Sequence, residues 1–563
     1  MKKSRIIAIM LCLVMLFTVV ACNKNNDTPG GSSPAGGDST PAGGTSPADG
    51  GSSPAGGGSS PAGGGSSPAG GGSSPAGGGA SSGRDDLYVA LSQDSGTLDP
   101  LYNVGWDLIN ALRMLYEPLW EYEGGRVLRY VLAKEIVEVT PTEWLITLRD
   151  DVVFSNGSKF DAEDVLFSLW RANNREGQSP FLRELDYDAC SIVDPYTVRL
   201  IWTEPSIAFM GTFGSIFMFD KETYDDATSA STPIGTGPYK VVDYVIQSHL
   251  DLEARSDYWA GTTPPIPNLH FRMISEEAQR VNALQTGEVD IAQVPFQDIT
   301  YVQGLPGLIV DLWMGNFTSV LHMNPTTSRN VFSELPVEAR FAIAHAIDRE
   351  AIVDIAYDGF AEVSRAPLSA GTTDIYPALL DMGIYGEPNY AYNPDLARQE
   401  AIDSGLVNYT PLCINNGSAT NSLISEMIQS DLKAIGVNIE VLSLDSGSWL
   451  TYAFDETQWD MAVDFTFGDQ MGGAYRMWAR MIGGYMTSPW PGSERFVEIV
   501  DTIMQKTDQN ELNALYMELT QIHTAALPWF TLCDTLTPTA YNSDLKGWAP
   551  MLNGSINYID LSW

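Results

Sequence analysis

Between Asn23 and about Gly83 the chain consists almost wholly of Gly, Ser, Pro, Ala and Thr, and from Ser52 to Gly79 it runs through four copies of Ser-Ser-Pro-Ala-Gly-Gly-Gly. No large apolar residue interrupts this stretch. The area it could bury falls short of the entropy lost on ordering it, so the sequence predicts a disordered spacer. The repeat is a tether rather than a solenoid, because no unit has a hydrophobic face to stack on the next. A flexible coil of about 60 residues has an end-to-end distance of roughly 40 Å. Folding is left to the residues from about Asp85 to Trp563, where Trp, Tyr, Ile and Leu are distributed as in a globular protein. That length calls for two or three lobes.

Ahead of the spacer, Met1-Lys2-Lys3-Ser4-Arg5 is basic and Ile6 to Ala21 is apolar, ending in Val19-Val20-Ala21-Cys22. The run is shorter than the roughly 20 residues a spanning helix needs, and its layout is that of an export signal. The Ala21-Cys22 junction resembles the bacterial lipobox, which implies cleavage before Cys22 and a lipid on its thiol. The expected organisation therefore begins with a signal peptide over 1–21 and a lipidated cysteine with its linker over 22–84. The chain is expected to be anchored to the outer face of the cell membrane, on the periplasmic or cell-wall side.

The formal charge is −39, and loss of Lys2, Lys3 and Arg5 with the leader takes it to −42. Such a surface excludes nucleic acid as a partner, keeps the protein soluble, and favours positively charged solutes through its field. With Cys12 removed and Cys22 lipidated, Cys190, Cys413 and Cys533 remain. They are odd in number and far apart, so they read as buried apolar residues rather than a disulfide framework. His249, His270, His322, His345 and His523 are dispersed, with no His-Glu-x-x-His and no Cys-x-x-Cys, so no metal site is expected. Gly235-Thr236-Gly237 runs straight into Pro238 and lacks the Gly-Lys-Ser/Thr ending of a phosphate loop. Outside the Gly/Ser spacer no serine stands in a Gly-x-Ser-x-Gly elbow, although a triad assembled from distant segments would leave no mark in the sequence. The expectation is a protein without catalytic residues or cofactor.

Hydrophobic periodicity predicts a short strand at Val89 to Leu91, a polar loop from Ser92 to Pro100, and a helix from Asp107 to Tyr116. Trp144 to Leu148 reads as a strand, Ser155-Asn156-Gly157 as a turn, and Asp161 as the cap of a helix over Ala162 to Ala172. Helical spacing returns over Val337 to Ile355 and Asn421 to Ile435, and a strand candidate, Val437 to Leu444, follows the latter. Strands alternating with helices predict an α/β protein with mixed or parallel sheets.

Several segments, in order, resemble the family 5 bacterial extracellular solute-binding proteins, the peptide/nickel/oligopeptide-binding lipoproteins of ABC importers. They are Leu98-Asp99-Pro100, Leu115-Tyr116-Glu117-Pro118-Leu119, Leu148 to Gly157 running into Ala162 to Val165, and Pro233-Ile234-Gly235-Thr236-Gly237-Pro238-Tyr239. Asp257-Tyr258-Trp259, Leu284 to Ala292, Ala344 to Arg349 and Gly436-Val437-Asn438-Ile439 continue the series. Physically, most of these residues specify fold: Gly157, Gly235 and Gly237 suit positive φ or close backbone approach, Pro238 fixes one φ, and Tyr258 and Trp259 suit packing. The resemblance implies a two-lobed, type II periplasmic-binding-protein-like clamp with an extra domain inserted in lobe I. Lobe I would take 85–125, 232–329 and 527–563, the inserted domain 126–231, and lobe II 330–526. The implied role is to capture peptides, in particular oligopeptides, as a monomer and deliver them to ABC transporter permease subunits.

In peptide-binding relatives a stretch like Trp459 to Asp469 opens with an aromatic-Asp pair and ends, nine residues after that Asp, in an aspartate holding the ligand's α-ammonium. The resemblance assigns that role to Asp469, and backbone pairing with an extended ligand to Thr466, Phe467 and Gly468. Phe467 and Gln470 depart from the Trp and the Tyr or Asn common in relatives. Further ligand-binding candidates are Asp94 and Ser95 on the loop before Leu98, Phe181 after the inserted domain's helix, and Trp449. No arginine is placed by motif against a ligand carboxylate. A nickel chelate, or an oligosaccharide stacked on Trp449 and Trp459, is the alternative within binding proteins, and a cell-envelope hydrolase or structural lipoprotein is the alternative of another class.

Overall fold

The computed structural model describes residues 84–563 except 103–105, 124–126, 175–181, 183–184, 206–215, 326–330, 371–389, 456, 468–477, 479–488, 504–505, 507 and 550–555. The chain opens with β1 (Asp86–Leu91), whose Leu87, Val89 and Leu91 enter one core cluster while Tyr88 and Ala90 pack against another. A strand covered on both faces belongs at the centre of a sheet. Its start is clamped: Arg84 pairs with Asp290 at 2.7 Å, its guanidinium lies 4.1 Å from the ring centre of Trp563, and Trp563 Nε1 donates to the Asp86 carbonyl at 3.2 Å.

α1 (Trp106–Leu112) is shorter than its spacing predicted. Beyond Leu112 the backbone turns, and the carbonyls of Met114 and Leu115 leave the helix to accept from Tyr239 N and Gly237 N, both at 3.0 Å. A hairpin of β2 (Trp120–Glu123) and β3 (Val127–Tyr130) leads to β4 (Ala133–Thr140) and β5 (Glu143–Leu148). α2 (Ala162–Asn174) follows, then β6 (Ser191–Asp194) and β7 (Thr197–Ile201), giving a four-stranded sheet in the order β4-β5-β7-β6. Asp161 caps α2 as predicted, its carboxylate accepting from Glu163 N at 2.8 Å while Asp164 accepts from Asp161 N at 2.9 Å. This sheet and helix close over their own core, including Ile146, Val165, Leu169, Val198 and Leu200.

The chain then forms β8 (Tyr239–Val245), β9 (His249–Ala254), β10 (Asn268–Met273), α3 (Glu277–Thr286), β11 (Ile291–Gln293) and the long β12 (Leu308–Met323). Next come α4 (Glu338–Ala346), α5 (Arg349–Ala356), β13 (Ala361–Val363), α6 (Pro394–Asp403), β14 (Leu412–Asn415), α7 (Ala419–Ala434) and β15 (Glu440–Ser443). α8 (Ser446–Phe454), β16 (Met461–Phe467), α9 (Glu494–Ile503), α10 (Gln509–Ala526) and β17 (Trp529–Asn542) follow, with short helical turns between some of these elements. The helical run from Val337 to Ile355 is two helices: the backbone extends at Ile347 and Asp348, and the Asp348 carboxylate caps α5 by accepting from Ala351 N. Strand pairing expected from Val437 starts at Glu440.

One sheet of eleven strands runs β15-β14-β16-β12-β17-β11-β1-β10-β9-β8, with β13 added on β17. β12 and β17 are antiparallel from Leu308 opposite Asn542 to His322 opposite Trp529. At one end they pack with Val289, Ala292 and Leu284, and at the other with Ile343, Phe332 and Ile428, so each strand belongs to two separate cores. This is the two-lobed type II clamp, with two strands crossing between the lobes. Their register breaks midway, between the Met314–Leu536 and Thr318–Asp534 pairs.

Gly235 and Gly237 lie against the backbone that leaves α1. A Cβ on Gly235 would fall 2.0 Å from the Leu115 carbonyl oxygen, and one on Gly237 2.5 Å from that of Met114. Neither has positive φ, so close approach alone requires glycine here. Gly235→Ala is expected to destabilise the protein by about 3 kcal/mol, since rigid backbone must move. A urea midpoint equal to wild type would contradict that packing.

Candidate functional site

β16 carries the chain towards the site, and the residues before it explain its placement. Trp459 is fully buried and donates through Nε1 to the Tyr452 carbonyl at 2.9 Å. The buried Asp460 accepts from Leu412 N at 2.9 Å and Val331 N at 3.2 Å, fixing the entry of β14 and the start of α4's approach segment. The aromatic-Asp pair is thus a structural anchor. From Met461 the strand pairs antiparallel with β12, and its last residue, Phe467, stands opposite Phe317. Phe317 lies within the irregular stretch between Met314 and Thr318, at the middle of the lobe-crossing strands.

That middle is polar inside. The buried Asp534 carboxylate accepts from the Thr318 hydroxyl and from Ala370 N at 3.3 Å, and the Thr535 hydroxyl donates to the Phe317 carbonyl at 3.1 Å. The Phe317 and Phe465 rings meet edge to face at 5.3 Å. Where the ladder loses register, side chains take over the hydrogen bonds that regular pairing would have made.

The expected site residues divide as follows. Thr466 and Phe467 close β16 in backbone, opposite Thr318 and Phe317. Gly468, Asp469 and Phe181 lie outside the described residues. Asp94 is committed elsewhere: its carboxylate accepts from Gly96 N at 2.8 Å, the Tyr244 hydroxyl at 2.8 Å and Gln247 N at 2.6 Å, pinning the loop to the β8–β9 turn. Ser95 stands beside it on the same loop, at the far edge of the sheet from β16. Trp449 is core, buried with Ile414, Leu444, Trp459 and Ala462, and its indole holds α8 against the sheet rather than facing a ligand. Trp449 and Trp459, the rings named for stacking on a sugar, are both buried.

The shared motifs meet one another instead of a ligand. Glu117 accepts from the Tyr258 hydroxyl at 2.7 Å and Trp259 Nε1 at 2.8 Å, and burial pushes its carboxyl above the usual range against the pull of these donors. Arg255, which sequence reasoning passed over, donates to the carbonyls of Gly237 and Phe154 at 3.0 Å and Val153 at 3.1 Å, joining two motif turns. Nothing in a lone arginine's sequence context marks it as buried. Among the described residues no cluster of three or more His, Cys, Asp or Glu could hold a metal ion. His270 is held between Asp251 and Asp86, and His345 pairs with Glu400 at 2.8 Å.

Residues 128–487 match the model of bacterial extracellular solute-binding proteins, family 5. The chain belongs to this family. Family 5 members are the extracellular substrate-binding proteins of ABC importers, and this chain has that role. The glutathione-binding protein GsiB of Pectobacterium atrosepticum is 23% identical over 84% of this chain and 93% of its own. The structure of NikA from Staphylococcus aureus in complex with Ni(L-His)2 superposes with a TM-score of 0.70 at 19% identity, covering 85% of this chain and 99% of that one. The oligopeptide-binding protein AppA of Bacillus subtilis, in complex with a nonapeptide, gives 0.69 at 18% identity, covering 84% and 98%.

Proposed function

We propose that this protein captures oligopeptides outside the cell, anchored through a lipid on Cys22, and delivers them as a monomer to the permease of an ABC importer. The observation that carries the reading is the end of β16. Phe467 pairs opposite Phe317 midway along the crossing strands, and Gly468 and Asp469 follow it directly in sequence. AppA, a protein of this fold solved in complex with a nonapeptide, lends support. Lobe I would comprise 85–125, 232–329 and 527–563, with 126–231 inserted and 330–526 forming lobe II.

The mechanism follows from the chemistry of a closing cleft. In this reading the main chain of Thr466, Phe467 and Gly468 hydrogen-bonds the peptide backbone, which makes recognition tolerant of ligand side chains. Asp469 supplies the charged anchor. Its carboxylate meets the peptide's α-ammonium, and exclusion of water on closure strengthens that pair while penalising N-blocked ligands. The chain performs no chemistry in this scheme, and uptake energy comes from the transporter's own nucleotide-hydrolysing subunits. NikA with its nickel–histidine complex keeps a metal chelate as the second reading.

Protein purified without denaturation should carry small peptides visible by native mass spectrometry, whereas a bound nickel chelate or sugar would transfer the assignment to that ligand. Asp469→Ala should weaken peptide binding by about 3 kcal/mol, the usual loss when one partner of a desolvated ion pair is removed. Unaltered affinity by calorimetry would reject the role of Asp469. Cys22→Ser should release the protein from the membrane fraction into the medium, and retention at the membrane would refute the lipid anchor.

A further inference from the structure

β14 runs parallel to both β15 and β16, so the three strands bring their last residues, Asn415, Ser443 and Phe467, to the same end of the sheet. The helices that connect them leave to opposite faces. α7 packs with Met461 and Val463 on one, and α8 packs through Trp449 and Ala453 with Ile414 and Ala462 on the other. Where connections part in this way, the carboxyl ends of the strands line a crevice, which is where open α/β sheets take their ligands. β14 stops first, with Asn415 opposite Val463. Beyond that pair the described strands give β16 a neighbour on one side only, β12, which stays opposite it as far as Phe317.

The helical cover over β16 ends between two of its residues. Val463 and Phe465 are two apart and therefore point to the same face. Val463 is 0% exposed, in the core that contains Ile424, Ile428 and Leu432 of α7, whereas Phe465 is 42% exposed. The Phe465 ring is braced by Phe317, half-buried on β12, at 5.3 Å between ring centres and 83° between planes. Such an edge-to-face contact sets the tilt of a ring without enclosing it. A single exposed phenylalanine on an ordinary surface needs no explanation. This one has a fixed ring partner, stands at the carboxyl ends of parallel strands, and pairs opposite Ser319, next to the register breaks of the strands that cross between the lobes.

We propose that Phe465, braced by Phe317, is the wall of a side-chain subsite in the ligand crevice and selects peptides that carry an aromatic or large aliphatic residue. The inference rests on the peptide reading and adds a substrate class to it. Main-chain pairing at the end of β16 accepts any sequence, and the exposed ring favours those ligands whose apolar side chain displaces water from it.

Calorimetric titration of the detergent-solubilised full chain with penta-alanine, and with the five pentapeptides in which one alanine is replaced by phenylalanine, tests this. Wild type should bind at least one phenylalanine peptide about tenfold more tightly than penta-alanine, as expected when a large apolar side chain is buried against a ring. In Phe465→Ser that ratio should fall below about twofold, and Phe465→Leu, which keeps apolar surface at the position, should hold it above about threefold. A merely structural defect would weaken all six peptides together and leave the ratio as it is in wild type. Penta-alanine bound by wild type with no gain from phenylalanine at any position, or a ratio that Phe465→Ser leaves intact, would overturn the subsite while the peptide reading stands. If wild type binds none of the six, the peptide reading falls and the subsite with it.

Discussion

The antiparallel pairing of β12 with β17 is the constraint on which the architecture depends. These two strands run through both lobes and take part in both cores, so neither lobe can form its sheet without the other's crossing strand. Regular pairing along their full length would make a stiff ribbon. The register break between Met314 and Thr318 removes that stiffness locally, and buried side-chain bonds from Thr318 and Thr535 replace the lost ladder contacts. The bond from Thr535 to the Phe317 carbonyl is worth about 1 kcal/mol net, and the one from Thr318 to the Asp534 carboxylate somewhat more.

Around this ribbon, the first lobe is assembled by polar groups that bridge segments far apart in sequence. Glu117 receives Tyr258 and Trp259, Arg255 gathers carbonyls from two turns, and the glycines at 235 and 237 let the backbone after α1 approach within hydrogen-bond range. A buried acid and a buried arginine cost desolvation energy that only complete hydrogen bonding offsets. Both meet this requirement.

Much of this was legible in the sequence, and the reasons are specific. Short apolar runs located β1 and β5, and the Asp161 cap located α2, because these signals depend on neighbours in sequence. The order of short motifs gave the two-lobed α/β clamp. The break at Ile347 and Asp348 was missed because apolar spacing continues through it, and α1 was drawn too long because Met114 and Leu115 are helical in spacing but give their carbonyls to residues more than a hundred positions away. Asp94 and Trp449 looked available for a ligand. Their actual partners, Tyr244 and Gln247 for the first and a closed apolar cluster for the second, are known only once the chain is folded.

The clamp on Arg84 bears on how the folded part withstands tension. A pull applied at Arg84 along the axis of β1 would meet a strand flanked in parallel by β10 and β11. Force in that direction loads the interstrand bonds of β1 together, in shear, instead of peeling them singly. The Arg84–Asp290 pair and the Trp563 indole must yield first. The start of β1 is thus fastened to Trp563, so both ends of the folded chain meet at one point.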